Sequence, residues 1–463
     1  MLMGDTIAAI ATPRGKGGVG MIRVSGVRAV EICESVFLPK SGKALSQIPV
    51  RCATYGSICA KETDGRPVSI DDGIATVFRA PSSFTGEDTV EITCHGGILL
   101  CETVLASVIA AGARAAEAGE FTRRAFLSGK LGLAEAEALG DLLEAKTHAQ
   151  MKLAHAGMRG KLSLRCREIY DMLCAILAGI YVKIDYPDED LAEIGAEEAA
   201  ERLDVIAREL ETLANTYKTG HAVAEGIPTV ICGRPNAGKS SLYNLILGHD
   251  AAIVTDVEGT TRDVLCETAA FGDVTLRLFD TAGLHETKDP VERIGIDRAK
   301  RAMEEAELIL AVFDASVPPT QEELAWMKEI STGAASVIAV LNKSDLGAAH
   351  AEAYTAYFKN SVSVSARSGE GLDTLCGMVG ALFLEGHLDL YGDPVIANAR
   401  QYGAVLSALE AVRRASGALL AGYPLEICCA DAEAAMEAIS ALDGRAVSED
   451  IVSEIFSHFC VGK

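Results

Sequence analysis

The residue types most able to do chemistry stand together in Thr229 to Tyr243, TVICGRPNAGKSSLY, where an apolar strand runs into Gly233 and Gly238, Lys239 and Ser240 complete G-x-x-x-x-G-K-[ST]. Glycines there let backbone N–H groups turn towards phosphate oxygens, and the following helix adds the positive end of its dipole. Lys239 reaches the outer phosphates and Ser240 holds Mg²⁺. Asp280, Thr281, Ala282 and Gly283 follow the apolar run VTLRLF (274–279). Asp280 is placed to hold Mg²⁺ through water and the Gly283 N–H to sense a γ-phosphate. Asn342, Lys343 and Asp345 follow SVIAVL (336–341) as N-K-x-D. A carboxylate at Asp345 accepts N1–H and N2–H of guanine but faces the unprotonated N1 of adenine, which selects GTP over ATP. Ser365, Ala366 and Arg367 are similar to an S-A-K loop that supports the base through backbone N–H groups.

Between these motifs, Gly259, Thr260, Thr261, Arg262 and Asp263 occupy the place of a first switch, with Thr261 as the second Mg²⁺ hydroxyl. Leu284 stands after Asp-Thr-Ala-Gly, where a Ras-like enzyme has a water-orienting glutamine. A leucine cannot orient water, which leaves His285, Glu286 and Glu292 as polar candidates. No arginine finger is identifiable from spacing. The Asn236 side chain has two readings: ligand to a monovalent cation beside the β- and γ-phosphates, or a loop-closing hydrogen bond.

The elements that position these groups follow from pattern. A chain of 463 residues has room for about three domains. Lys+Arg of 42 against Asp+Glu of 65 gives −23, which argues against a nucleic-acid-coating protein but not against a local basic site. Thirteen scattered cysteines without C-x-x-C fit reduced thiols. The longest apolar run, Leu173 to Val182, is well short of the roughly 20 residues that cross a bilayer. No secretory segment is recognised, and the expectation is a soluble cytoplasmic protein without membrane association.

TIAAIAT, GMIRVSG, GIATVF and DTVEITC read as strands of an amino-terminal mixed sheet. Gly15, Gly17 and Gly20 formally match G-x-G-x-x-G, but MIRVSG after them is a strand, so a glycine turn between strands is expected. His95 reads as an ordinary hydrogen-bonded histidine beside a glycine turn, and no second ligand at metal spacing supports zinc. From Lys130 the period becomes helical: Leu139, Leu142 and Leu143, then Ile169 to Ile180, then Leu203 to Leu213, with an acidic solvated loop at Asp185 to Asp190. The texture returns at Leu406, Leu409, Val412 and Leu419, then Ile439 and Leu442, then Ile451, Val452, Ile455 and Phe456. A helical domain interrupted by a parallel-sheet nucleotide domain is the economical arrangement. The expected fold is multidomain: an α/β domain over 1–128, helices over 129–222 and 387–463, and an inserted α/β P-loop GTPase (Ras-like) domain over 223–386.

The order of motifs resembles the bacterial and organellar tRNA modification GTPase family MnmE, also called TrmE. The resemblance rests on DTIAAIATPRGKGGVGMIRVSG, FTGEDTVEITCHGG, AGEFTRRAFLSGKLGLAEAEAL, GRPNAGKSSLYN, AAIVTDVEGTTRD, DTAGLHETKDPVERIGIDRA and the ending FCVGK, and covers essentially the whole chain. It implies a homodimer through amino-terminal domains that bind a tetrahydrofolate one-carbon carrier, in 5-formyl or methylene form, with Arg23, Glu91, Lys130 and Lys463 as contacts. It implies a K⁺-stimulated GTPase in which Asn236, Thr255, Val257 and Thr260 hold the ion and Glu292 orients water. The full nucleotide set is Asn236, Ala237, Gly238, Lys239, Ser240 and Ser241; Thr255, Asp256, Val257, Glu258, Gly259, Thr260 and Thr261; Asp280 to Gly283; Asn342, Lys343 and Asp345; and Ser365 to Arg367. Lys239, Glu292 and Cys460 are the catalytic candidates, although on residue chemistry alone Cys460 between Phe459 and Val461 reads as buried core.

The resemblance further implies an FAD-binding partner of the MnmG (GidA) type in a heterotetramer or larger complex. Its product would be an aminomethyl or carboxymethylaminomethyl group at C5 of the wobble uridine of certain tRNAs. The competing reading is a regulatory switch GTPase of ribosome assembly with no modifying activity. The G-domain motifs suit both; the amino-terminal domain and the FCVGK tail favour the first.

Overall fold

The computed structural model describes residues 4–61, 67–185, 195–249, 266–279, 305–347, 349–384, 386, 388–444, 448–457, 459 and 461–462. The chain forms two compact units, Met1–Gly140 with Asp443–Lys463, and Asp141–Leu442.

The first unit is built on strands β1 (Ile7–Ile10), β2 (Val19–Ser25), β3 (Phe37–Pro39), β4 (Thr54–Lys61), β5 (Pro67–Phe78), β6 (Thr89–His95) and β7 (Arg114–Ala115), in the order β3-β4-β5-β6-β2-β1-β7. All pairings are antiparallel except β1 with β7. The four apolar segments recognised in the sequence are β1, β2, β5 and β6; β3, β4 and β7 are short or irregularly patterned and escaped it. Strand alternation sends Ile22, Val24, Val90, Ile92 and Cys94 into a core shared with helices Ala29–Glu34 and Ile98–Ala110. Arg23, Met21, Glu91 and Thr93 alternate onto the opposite face, partly exposed. The glycine stretch 15–18 is the connection between antiparallel β1 and β2, pinned where the Gly17 N–H donates to Gly96 O at 2.9 Å.

Residues from Asp443 onwards group with this unit, whereas the sequence placed 387–463 together as helical domain. Helix Glu449–Ser457 packs Val452 and Phe456 on Leu133 and Ala136. The tail continues as a bridge from Val461 to Ala118. Gly119, at φ 63°, is required for this approach, since a Cβ there would lie 2.4 Å from the Phe456 carbonyl oxygen.

The second unit combines helices with a six-stranded sheet of β8 (Ile227–Cys232), β9 (Cys266–Phe271), β10 (Val274–Phe279), β11 (Leu308–Asp314), β12 (Ser336–Asn342) and β13 (Asn360–Ser363), in the order β13-β12-β11-β8-β10-β9. The sheet is parallel except for β9, which runs antiparallel to β10 at the edge, a strand the sequence reading did not anticipate. Core clusters on both faces explain why β8, β11 and β12 are apolar at nearly every position.

Helices Ala196–Asn215 and Ala399–Leu420 pack along each other through Leu203, Ile206, Leu210 and Leu213 and through Val405, Leu409, Val412 and Leu419, and the Ser416 hydroxyl donates to Asp204 at 2.8 Å. Leu406, read as core, is 39% exposed, and its neighbour Val405 is buried in its place. Leu143 and Ile451 are likewise exposed, and beside Ile451 it is Val452 that is buried. Tyr186 to Asp190 of the acidic segment lie outside the described residues. No helix among the described residues is long and apolar enough to cross a membrane.

Candidate functional site

The loop after β8 has the backbone that a phosphate cradle requires. Gly233 has φ 148° and a Cβ there would fall 2.2 Å from Val312 O on β11; Gly238 has φ 101° and would meet Asn342 Nδ2 at 2.0 Å. Any side chain at either position collides with the fixed sheet or with the guanine motif, so both glycines answer to sterics as well as to phosphate approach. Asn236 takes the left-handed conformation at φ 65°, is exposed, and makes no hydrogen bond through its side chain to another described residue. Lys239 begins helix Lys239–His249, and its Nζ donates to Arg234 O at 2.9 Å, folding the ammonium back over the loop. Burial holds its pKa below the ordinary lysine range, with Cys232 opposing, so anionic oxygens beside it would relieve a real cost. Ser240 and Ser241 are exposed at the same helix start, and Ala237 is buried.

Asn342 ties the loops together. Its Nδ2 donates to Ala237 O at 2.8 Å and its Oδ1 accepts from Ala366 N at 3.0 Å, while the residue is only 2% exposed. One amide side chain therefore spans from the phosphate loop to the base loop. The Ala366 N–H, which the sequence reading directed to the base, is engaged by Asn342. Asp345 Oδ1 accepts from Ser365 Oγ at 2.8 Å, and Ser365 Oγ also accepts from Ser368 N at 3.3 Å, so the carboxylate expected to read a base is oriented by the second loop. Lys343, at φ 64°, donates through Nζ to Asp314 Oδ2 at 2.5 Å. Burial alone would raise the Asp314 pKa, but Lys343 and Ser316 hold it below the usual carboxylate range. Arg367 is exposed.

A further tie was not visible in sequence: Arg234 Nη1 donates to Glu323 Oε2 at 3.2 Å, and Glu323, 6% exposed, caps its own helix by accepting from Thr320 N. Nothing in the spacing of GRPNAGKSS pairs Arg234 with a residue 89 positions away. Thr255, Asp256, Val257, Glu258, Gly259, Thr260, Thr261, Asp280, Thr281, Ala282, Gly283 and Glu292 lie outside the described residues.

In the first unit, register sets Arg23 opposite Glu91. Arg23 Nε donates to Glu91 Oε1 at 2.9 Å and Nη1 to Gly462 O at 3.4 Å. The guanidinium lies 5.6 Å from the Phe84 ring centre and 5.8 Å from that of Phe121. The structure thus gathers Arg23, Glu91 and the tail at Gly462 on the partly open sheet face, with two aromatic rings no spacing argument had joined to them. Lys130 is exposed, and its backbone N–H closes the preceding helix on Ala125 O at 2.8 Å. Cys460 and Lys463 lie outside the described residues.

The motif GEFTRRAF supplies the frame. Glu120, 1% exposed, accepts from Arg114 Nη2 at 2.6 Å and Arg124 Nη2 at 3.0 Å; Arg124 also reaches Asp5 and Glu87, and Glu87 takes the Ser25 hydroxyl at 2.9 Å. His95 is the hydrogen-bonded histidine expected, its Nδ1 2.8 Å from Asp71 Oδ1 and its backbone N donating to Asp71 Oδ2 at 2.9 Å.

Residues 6–130 match the family described as GTP-binding protein TrmE N-terminus, and residues 133–460 match the MnmE helical domain. A tRNA modification GTPase MnmE of Carboxydothermus hydrogenoformans is 39% identical over 466 aligned residues, covering 100% of both chains. One from Symbiobacterium thermophilum is 41% identical, covering 99% of each. Among solved structures, Era in complex with MgGDPNP and 16S ribosomal RNA nucleotides is 28% identical over 40% of this chain and 65% of its own, with a TM-score of 0.28. On the full-length matches, this chain belongs to the MnmE/TrmE family.

Proposed function

We propose that this chain is a GTP-hydrolysing enzyme of tRNA modification. The observation that carries the reading is the end-to-end identity of 39–41% with relatives named tRNA modification GTPase MnmE. The loop geometry supports the GTP half: the Asn342 bridge and the Ser365 contact to Asp345 tie the proposed base-reading carboxylate to the phosphate loop. Lys239 and the N–H groups of the loop would take the outer phosphates, and the Ser240 hydroxyl, with Thr261, would hold Mg²⁺. Bound Mg²⁺ supplies charge neutralisation across the β- and γ-phosphates.

In the finer reading, the enzyme is stimulated by K⁺ held by Asn236, Thr255, Val257 and Thr260, and Glu292 orients water in place of the glutamine that Leu284 displaces. The exposed Asn236 side chain, uncommitted to any described residue, suits an ion ligand. The amino-terminal unit would take a tetrahydrofolate one-carbon derivative against Arg23, Glu91, Lys130 and Lys463; a guanidinium between two aromatic rings beside a carboxylate fits a flat, polar heterocycle with an anionic tail. A homodimer and an FAD-binding MnmG-type partner complete the assembly that modifies C5 of the wobble uridine, in the cytoplasm. Domain limits of 1–128, 129–222, 223–386 and 387–463 belong to the same proposal.

The test is GTP turnover by the full chain in K⁺ and in Na⁺ at equal ionic strength, followed by nucleoside analysis of tRNA incubated with the FAD-binding partner, GTP and the folate donor. The expected result is strong K⁺ preference and a modified wobble uridine that requires this chain. Cation indifference removes the K⁺ mechanism. Turnover without any tRNA product favours the ribosome-assembly switch.

A further inference from the structure

Cys94 and Cys101 meet inside the amino-terminal unit. Cys94 ends the buried side of β6, Cys101 lies in the first turns of helix Ile98–Ala110, and their sulfurs are 3.8 Å apart as free thiols. Each has a backbone carbonyl to donate to: Cys94 Sγ to Gly20 O at 3.6 Å and Cys101 Sγ to His95 O at 3.8 Å. Gly20 is what makes room for them, because a Cβ there would sit 2.2 Å from the Cys101 sulfur and 3.6 Å from that of Cys94. Cys101 also lines a cavity of about 20 Å³ with Thr12, Arg14, Gly20, Gly96 and Glu102, enough for one water-sized molecule.

We propose that Cys94 and Cys101 are a redox site that closes into a reversible disulfide when a peroxide enters this cavity. Cys101, which faces the cavity, attacks a peroxide oxygen. The S–O bond forms, the O–O bond breaks, and the leaving hydroxide departs as water with the thiol proton. Cys94 then attacks the sulfenic sulfur, the S–S bond forms, the S–O bond breaks, and hydroxide leaves as water with the second thiol proton. Two thiols and one hydrogen peroxide thus become one disulfide and two waters. Burial and the neighbouring Cys101 push the Cys94 thiol up to about 12, which keeps it protonated at neutral pH until the sulfenic acid forms.

Closure brings the sulfurs from 3.8 Å to the roughly 2.05 Å of a disulfide. It also removes both thiol donors from Gly20 O and His95 O, the carbonyls beside the glycine turn. The other cysteines offer controls, since Cys52 and Cys174 are exposed.

The experiment treats the full chain with hydrogen peroxide, alkylates it under denaturing conditions and maps the peptides. Cys94 and Cys101 share the tryptic peptide between Arg79 and Arg114. That peptide is expected two hydrogens lighter, unalkylated, and restored by dithiothreitol. In Cys94→Ser, a sulfenic acid trappable by dimedone should accumulate at Cys101. Full alkylation of both residues at a peroxide dose that oxidises Cys52 would overturn the proposal, as would pairing of either with Cys52 or Cys59. Absence of a dimedone adduct in Cys94→Ser would overturn the order of steps.

Discussion

His221 is expected to act as a cation that fastens the helix Tyr217–Ala224 to the strands carrying the phosphate loop. Its Nε2 is 3.3 Å from Glu307 Oε1, at the entrance to β11, and its Nδ1 is 3.5 Å from Glu225 Oε2, just before β8. The Tyr217 ring lies 5.2 Å away and is itself stacked at 4.1 Å on Tyr402 of the helix Ala399–Leu420, so the imidazole terminates a chain of rings running into the helices. The carboxylates of Glu225 and then Glu307 outweigh burial and raise the His221 pKa from 6.5 to about 9; at 3.5 Å the Glu225 contact is an ion pair and not a hydrogen bond.

A raised pKa means that the stabilisation is fully present below the unfolded value near 6.5 and is lost as pH rises through the folded value near 9. Integrating between those values gives about 2.5 kcal/mol at pH 7. Because Glu225 and Glu307 are 42% and 43% exposed, solvent screening reduces this to about 1–1.5 kcal/mol. His221→Gln should therefore unfold more easily than the parent by that amount at pH 7, and the two should converge by about pH 10, where the parent histidine is neutral. The single tryptophan, Trp326, packs 5.8 Å from Phe313 in the same unit, so its fluorescence during urea unfolding reports the relevant transition. Parallel stability profiles of the two proteins from pH 6 to 10 would refute the reasoning, as would an imidazole NMR titration centred near 6.5.

Asn342→Ala should strand Ala237 O and Ala366 N–H together, costing about 2–4 kcal/mol in stability and weakening GDP binding, checked by urea unfolding and calorimetry; parental affinity would sink the bridging role. Asn342→Asp should not rescue it, because a carboxylate cannot donate to Ala237 O. Glu120→Gln leaves Arg114 and Arg124 short of a counter-charge and should cost about 2–3 kcal/mol at neutral pH. Burial would raise the Glu120 pKa, yet Arg114, the Glu117 N–H and Arg124 hold it low, so its stabilisation is present above the ordinary glutamate range and fades as pH falls through the depressed value. The acid limb of unfolding should flatten in the variant, and an unchanged limb would count against the network. Glu292→Ala should keep GTP binding and lose most turnover; parental turnover would remove Glu292 from the mechanism.

What the sequence made legible was chemistry held in contiguous segments. A phosphate loop is built by its own backbone, so Gly233, Gly238 and Lys239 can be assigned before any tertiary contact is known, and N-K-x-D likewise reads locally. The ties that make these segments one site are long-range: Asn342 to Ala237 across 105 residues, Arg234 to Glu323 across 89. Arg23 joins Glu91 across 68 residues and Gly462 across 439, and only sheet register and a docked tail bring them together. Apolar periodicity located the helices but misjudged Leu406 and Ile451, because at a stripe's edge the neighbouring element decides which of two adjacent residues is covered.

The tail makes the same point about mechanism. Helix Glu449–Ser457 is apolar on one face and resembles the helices before it, so pattern alone attaches it to them. Its contacts with the amino-terminal unit depend on backbone clearance: Gly119 admits the Phe456 carbonyl, and Gly462, at φ 104°, comes so close to β1 that a Cβ would lie 2.3 Å from Ile10 O. Glycine at both positions lets the chain press against the sheet edge, and that contact carries the Gly462 carbonyl to the Arg23 guanidinium. A side chain at Gly462 should therefore lift the tail and free Arg23 without touching the charged groups themselves. Gly462 is buried and its left-handed backbone strains any side chain, so Gly462→Ala should loosen the tail at some cost in stability and weaken binding of the anionic ligand that Arg23 serves. The measurement is folate binding by Gly462→Ala beside Arg23→Gln. Loss of binding in both, with only a small drop in thermal stability in Gly462→Ala, is expected; parental binding in Gly462→Ala would mean the tail is only a neighbour of the site.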